Sequence, residues 1–148
     1  MAHPSSLQVL VELAEHRSHA VARNLGLLIN RGEEGEAKLQ MLRNYLQEYR
    51  TRLDDSVREG LEPERLRNYL AFIARLERAI ADQAREVAAA KACIDGEKVR
   101  WIEKERERRS FEILLERRHQ EGKRREAKSQ QKQDDEIAAR TGLGSPDR

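Results

Sequence analysis

One spacing runs through most of this chain and leaves few folds open to it. Alternate steps of four and three from Leu7 visit Leu7, Val11, Ala14, Ser18, Val21, Leu25 and Leu28, then Gly32, Gly35, Leu39, Leu42, Leu46, Tyr49 and Leu53. Eleven of these fourteen residues are apolar, so the path is an apolar seam rather than scatter. A three-four spacing held this long is the heptad pattern of a left-handed coiled coil. Ser5-Ser6-Leu7-Gln8 ahead of it fits a capping box, with Ser5 as the cap and Gln8 reaching back.

A second seam begins at Leu66. Steps of three and four visit Leu66, Tyr69, Ile73, Leu76, Ile80, Gln83, Val87 and Ala90, then Ile94, Glu97, Trp101, Lys104, Arg108, Phe111 and Leu115. Between the seams lies REGLEPERL, Arg58 to Leu66, with a Gly and a Pro three residues apart. Gly60 suits the left-handed residue that ends a helix, and Pro63 suits the first turn of the next, where its missing N–H costs nothing. So short a connection folds the helices back antiparallel.

The fold expected is therefore all-α: a long two-helix antiparallel coiled-coil hairpin over residues 1–115, with its turn near 59–63. Mirroring about residue 61 sets Leu53 against Tyr69, Leu46 against Leu76, Leu42 against Ile80, Leu28 against Ile94, Val21 against Trp101, and Leu7 against Leu115. Arms of roughly 50 residues at about 1.5 Å each give a hairpin of about 75 Å. Residues 116–148 are expected to overhang as a charged helix, with TGLGSPDR a disordered end.

Composition agrees. Charged residues make up 38% of the chain and aromatics 4%, against about 25% charged in an ordinary globular domain. The 29 Lys and Arg nearly balance the 27 Asp and Glu, whereas a nucleic-acid binder carries a basic excess. The Lys123–Glu126 cluster KRRE is read mainly as a solvated face. Cys93 is the only cysteine, read as a small seam or flank residue. The first residues lack a basic n-region and an unbroken apolar stretch, and no apolar run approaches the roughly 20 residues of a membrane span. The expectation is a soluble cytoplasmic protein, peripheral to a membrane at most.

Irregular places in the seam are candidates for function. Gly32 and Gly35 fall opposite Ala90 and Val87 and mark either a soft spot or a hinge. Ser18 against Lys104 and Ala14 against Arg108 put cations on the seam, where pairing is expected to loosen. Phe72, Leu76, Ala79 and Gln83 make a four-three-four stripe beside the main seam that is exposed unless something docks there. His16 and His19 share a face, but two ligands rarely make a specific metal site. No phosphate loop, nucleophile motif or paired carboxylate in an apolar setting is present, so no catalytic residue, metal or cofactor is assigned.

Four strings, in their order and spacing, resemble the FliJ family of flagellar export proteins: LAEHRSHAVARNLG (Leu13–Gly26), KLQMLRNYLQEYRTRL (Lys38–Leu53), RLRNYLAFIARLERAI (Arg65–Ile80) and VRWIEKERER (Val99–Arg108). The resemblance covers nearly the whole chain. It implies a non-enzymatic part of the flagellar type III export apparatus at the cytoplasmic face of the membrane, similar to the central stalk of rotary ATPases. Its implied partners are the hexameric export ATPase, whose assembly and hydrolysis it promotes, the cytoplasmic domain of the export gate, and export chaperones. No nucleic acid and no small-molecule substrate is implied.

The family's gate contact maps onto Phe72, Leu76 and Ala79, with Gln83 standing where family members carry His. The open end is assigned to the ATPase ring, through Leu7, Leu10, Leu13 and Arg17 on one arm and Arg109, Phe111, Arg117 and Arg118 on the other. Two other assignments share the architecture: the stalk of a virulence type III secretion injectisome, and a generic dimeric scaffold that binds no ATPase and self-associates through Phe72 and Leu76.

Overall fold

The computed structural model describes residues 5–143. It consists of two long α-helices packed against each other as a hairpin, α1 (Ser6–Glu59) and α2 (Pro63–Leu143), and the described residues contain no strand. The capping box closes α1: Gln8 N donates to Ser5 Oγ at 3.2 Å, and Ser5 N to Gln8 Oε1 at 3.1 Å. Each bond satisfies a donor that a helix start leaves without a partner. At the other end Gly60 takes φ +97° and donates its N–H to Val57 O at 3.3 Å. An L side chain rarely adopts that backbone conformation, which is why a glycine stands there. Pro63 opens α2, and Leu66 N donates to Glu62 O at 3.0 Å.

The spacing correctly marks the buried face. Every α1 position on the path from Leu7 to Leu53 is buried or half-buried. So is every α2 position from Leu66 to Leu115 except Trp101, which is 37% exposed. An indole is too large for one neighbouring helix to cover. Cys93, one residue off the seam at Ile94, is exposed on the flank.

The chain divides into two compact units. In His19–Ile102 the deepest residues are Val21, Leu39, Ile73, Leu76 and Gln83. A Cβ on Gly35 would meet Val87 Cγ2 at 3.6 Å, as mirroring predicts. Gly32 differs from the expectation. The atom it faces is Cδ1 of Ile94, 3.0 Å from where a Cβ would sit, rather than Ala90. Ile94 is long enough to reach into the gap the glycine leaves.

The other unit comprises Met1–Ser18 and Glu103–Arg148. Loosened pairing was expected here, and the structure corrects it. Val11 and Ala14 are buried, and Ser18 is wholly buried. The cations do not lie on the seam as bare charges: Arg108 turns to Glu105 and Glu112 on its own helix, and Lys104 Nζ lies 3.6 Å from Glu107. That frees the seam for the small Ser18 and Ala14 to pack closely.

From Glu116 to Gly142 every residue of α2 is exposed. The helix includes Thr141, Gly142 and Leu143, which were expected to belong to a disordered end; the remainder of TGLGSPDR lies outside the described residues.

Candidate interaction surfaces

Three aromatic rings meet near the turn. Tyr49 of α1 lies against Phe72 of α2, ring centroids 4.4 Å apart and planes tilted by 39°, and Tyr69, one turn before Phe72, is 6.5 Å from Tyr49. Arg52 stands over the Tyr49 ring at 5.3 Å. Offset, tilted rings at these distances attract through their quadrupoles, and the guanidinium adds a cation–π contact. Together they hold Phe72 at the edge of the seam with 37% of its surface still open.

The stripe expected from Phe72 to Gln83 is not one exposed face. Phe72 is exposed and Ala79 half-buried, but Leu76 and Gln83 are buried. Leu76 and Gln83 are seam positions, so α1 covers them. Gln83 also spends its amide inside the hairpin, donating from Nε2 to Gly35 O at 3.0 Å. A Cβ at Gly35 would lie 3.6 Å from that amide nitrogen, an ordinary contact, so the bond does not depend on the glycine.

A second surface lies on the unit containing both helix ends. Ser6, Leu7 and Leu10 of α1 and Leu114, Arg117 and Arg118 of α2 line one shallow groove, closed by Glu121. Leu10 and Leu114 are 41% and 47% exposed, an unusual amount for leucines sitting close together. Leu13 and Arg17 continue the Leu10 face, three and seven residues on, and both are exposed. Arg118 also lines a neighbouring concavity with Ser5, Gln8, His119 and Lys123. Of the remaining residues assigned to the ring, Phe111 is half-buried in the seam, and Arg109 is exposed but does not line the groove.

The same unit holds a half-buried polar cluster around the buried Ser18. Ser18 donates its hydroxyl to Glu105. Arg108 donates to Glu105 Oε2 from Nη2 and to Glu112 Oε1 from Nη1, each at 2.8 Å. The hydrogen bond to Glu105, opposed by desolvation and aided by the charges of Glu105 and Glu112, holds the Arg108 guanidinium above its ordinary pKa. A raised folded-state value means its contribution is complete at lower pH and is lost only in strong alkali.

His16 and His19 are both exposed, and the described residues hold no group of three or more His, Cys, Asp or Glu placed to bind a metal. No described helix is long and apolar enough to cross a membrane.

The sequence profile described as Flagellar FliJ protein matches residues 3–146. The chain belongs to the FliJ family. It is similar to the flagellar FliJ protein of Escherichia coli (strain K12), 31% identical over 147 residues that cover 99% of this chain and 100% of that protein. It is also similar to the flagellar FliJ protein of Salmonella typhi, 30% identical with the same coverage. No solved structure matches.

In this FliJ-family chain, three features escaped the sequence reading. Ser6 and Glu121 were missed as groove residues, and Leu114 lay inside the Phe111–Arg118 stretch assigned to the ring without being singled out, although Leu114, Arg117 and Glu121 repeat the three-four spacing of Leu10, Leu13 and Arg17. Tyr49 was read as a seam residue and not as the support of Phe72. The Ser18–Glu105 bond was missed because mirroring placed Ser18 opposite Lys104, one residue away.

Proposed function

We propose that this chain is a non-enzymatic component of the flagellar type III export apparatus. It acts there as a coiled-coil stalk that enters the hexameric export ATPase and promotes its assembly and hydrolysis. In the same reading it contacts the cytoplasmic domain of the export gate, escorts export chaperones, and works peripherally at the inner face of the membrane. FliJ membership supports the flagellar setting. The observation that carries the stalk reading is the groove of Leu7, Leu10 and Leu114 beside Arg117 and Arg118, open leucines next to two cations.

A stalk inside a ring must touch several similar subunits without locking to one. Many weak apolar and charged contacts on an exposed helical surface meet that need better than one deep pocket. At the other surface, Phe72 is the residue best placed to meet the gate, since Leu76 and Gln83 already serve the hairpin.

The test is ATP hydrolysis by the purified export ATPase of the same organism, with and without the chain, using full-length protein and versions cut back at either terminus. Stimulation that disappears on truncation supports the stalk. Absence of stimulation together with absence of ring formation overturns it.

A further inference from the structure

The last part of α2 carries a charge pattern unlike the stretch before it. Upstream, Arg85 pairs with Asp82, Arg100 with Glu97, Lys104 with Glu107, and Arg108 with Glu105 and Glu112, all on the same helix. Beyond Glu116 no cation does so among the described residues. Arg117, Arg118, Arg124, Arg125, Lys128 and Lys132 are all exposed. At about 3.6 residues per turn they fall within about 120° of one another around α2. Of the Lys and Arg from Arg117 to Lys132, Lys123 alone faces away. Arg124, Lys128 and Lys132 stand four residues apart, a spacing at which like charges weaken a free helix and opposite charges would support it. A face that meets only water gains from mixed signs; this one holds a single acid, Glu121. From Arg117 to Lys132 the stripe is about 22 Å long.

The stripe suits an acidic protein surface better than a lipid or nucleic-acid one. From Glu116 to Glu136 the helix has no apolar side chain larger than alanine to enter a bilayer, and no Phe, Tyr or Trp to stack on a base. Asp135 and Glu136 then follow on the same face, about five turns after Arg117 and Arg118. A membrane or a nucleic acid is negative throughout and would be repelled there. A protein surface can change sign where the stripe does. Arg117 and Arg118 already line the terminal groove, so the stripe continues that surface along α2.

We propose that this basic stripe docks on an acidic stretch of the export ATPase. The inference rests on the stalk reading and adds to it a contact beyond the paired helices, set by charge and carried by Arg124, Arg125, Lys128 and Lys132.

Binding of the full chain to the purified export ATPase of the same organism, measured by calorimetry over a range of salt concentrations, tests it. R124Q/R125Q/K128Q/K132Q should bind at least ten-fold more weakly than the wild type at low salt, and the gap should close as salt rises. Circular dichroism should show no loss of helicity in that variant, since like charges have been removed. R43Q/R75Q/K91Q/K98Q loses the same charge from exposed positions off the stripe and should bind as the wild type does. Equal losses in the two variants overturn the proposal, because net charge alone then carries the effect. Unchanged binding by the stripe variant also overturns it; if Leu10→Ser still weakens binding, the stalk reading survives without the stripe. A wild-type chain that does not bind the ATPase overturns both. Attachment to phosphatidylglycerol vesicles or to a DNA duplex that the stripe variant loses, with ATPase binding intact, overturns it in favour of a polyanion.

Discussion

Ser18 on α1 donates its hydroxyl to Glu105 on α2, and solvent reaches no part of Ser18. A small polar residue with its bond made inside the seam fixes the pairing of the helices more tightly than another leucine would, because a slip would bury the hydroxyl without an acceptor. Ser18→Ala should destabilise the hairpin by about 1.5 kcal/mol, the low end for a hydrogen bond to a charged group, since Glu105 stays half-exposed and bonded to Arg108. Glu105→Leu should cost more, about 2–3 kcal/mol, since it leaves both the Ser18 hydroxyl and Arg108 short of a partner. Urea denaturation followed by circular dichroism reads both. If the double variant equals the sum of the singles, the two residues are not coupled and the bond contributes nothing.

The two seam glycines should respond differently to a methyl group. At Gly35 the added Cβ finds neighbours at 3.6 Å, an ordinary contact. Gly35→Ala should therefore recover most of the helix propensity that glycine forfeits, about 1 kcal/mol. At Gly32 the nearest atom is at 3.0 Å, so Ile94 must move and Gly32→Ala should gain less. Melting temperatures rank the two variants. The hinge alternative makes its own prediction: if Gly35→Ala stabilises the hairpin and also lowers ATPase stimulation, flexibility there is functional, whereas unchanged stimulation marks a tolerated soft spot.

Periodicity made the hairpin and its buried face legible, because a heptad seam records which side of a helix meets another helix. The turn was legible because Gly60 and Pro63 carry backbone constraints that few other residues meet. Side-chain reach was not legible. Mirroring gave Gly35 its true neighbour, Val87, yet gave Gly32 the short Ala90, where Ile94 extends in from one turn away. It likewise placed two cations on the seam without showing that Arg108 bends to Glu105 and Glu112 on its own helix. Of the residues assigned to partners, Leu7, Leu10, Arg117 and Arg118 do come together. The Phe72 stripe failed as an exposed face because Leu76 and Gln83 were counted on the seam and on the stripe at once.

The turn offers a test of backbone conformation with no side-chain contact involved. Nothing lies within 4 Å of a Cβ at Gly60, yet its φ of +97° strains any L residue. Gly60→Ala should lower stability by about 1 kcal/mol without changing helicity at low temperature. Substitution at Gly26, which has the same open surroundings in an ordinary helical conformation, is the control and should stabilise.

Leu10 and Arg117 share the terminal groove, and neither is needed for the seam. Leu10→Ser and Arg117→Glu should leave the melting temperature within about a degree or two, since exposed substitutions stay within about 0.5 kcal/mol. Stimulation of the export ATPase should fall several-fold in each. Arg109→Glu, exposed but outside the groove, should have the smaller effect; a larger loss there than at Arg117 would place the ring contact on the opposite side of α2.

Phe72 and Leu76 separate binding from folding at the other surface. Leu76 is 8% exposed in the seam, so Leu76→Ala should cost about 2–5 kcal/mol of stability. Any loss of gate binding in that variant is then partly a loss of hairpin. Phe72 is open to solvent and rests on Tyr49. Phe72→Ala forfeits that ring contact, about 0.5–1.5 kcal/mol beyond the area it covers, and leaves the seam residues in place. If Phe72 is the gate contact, its alanine variant should lose binding to the purified gate domain by calorimetry while remaining folded at the assay temperature, and Gln83→Leu, which changes only a buried amide, should bind normally. Undiminished binding by Phe72→Ala, with loss confined to variants that melt early, would mean that the gate reads the hairpin as a whole and not this ring.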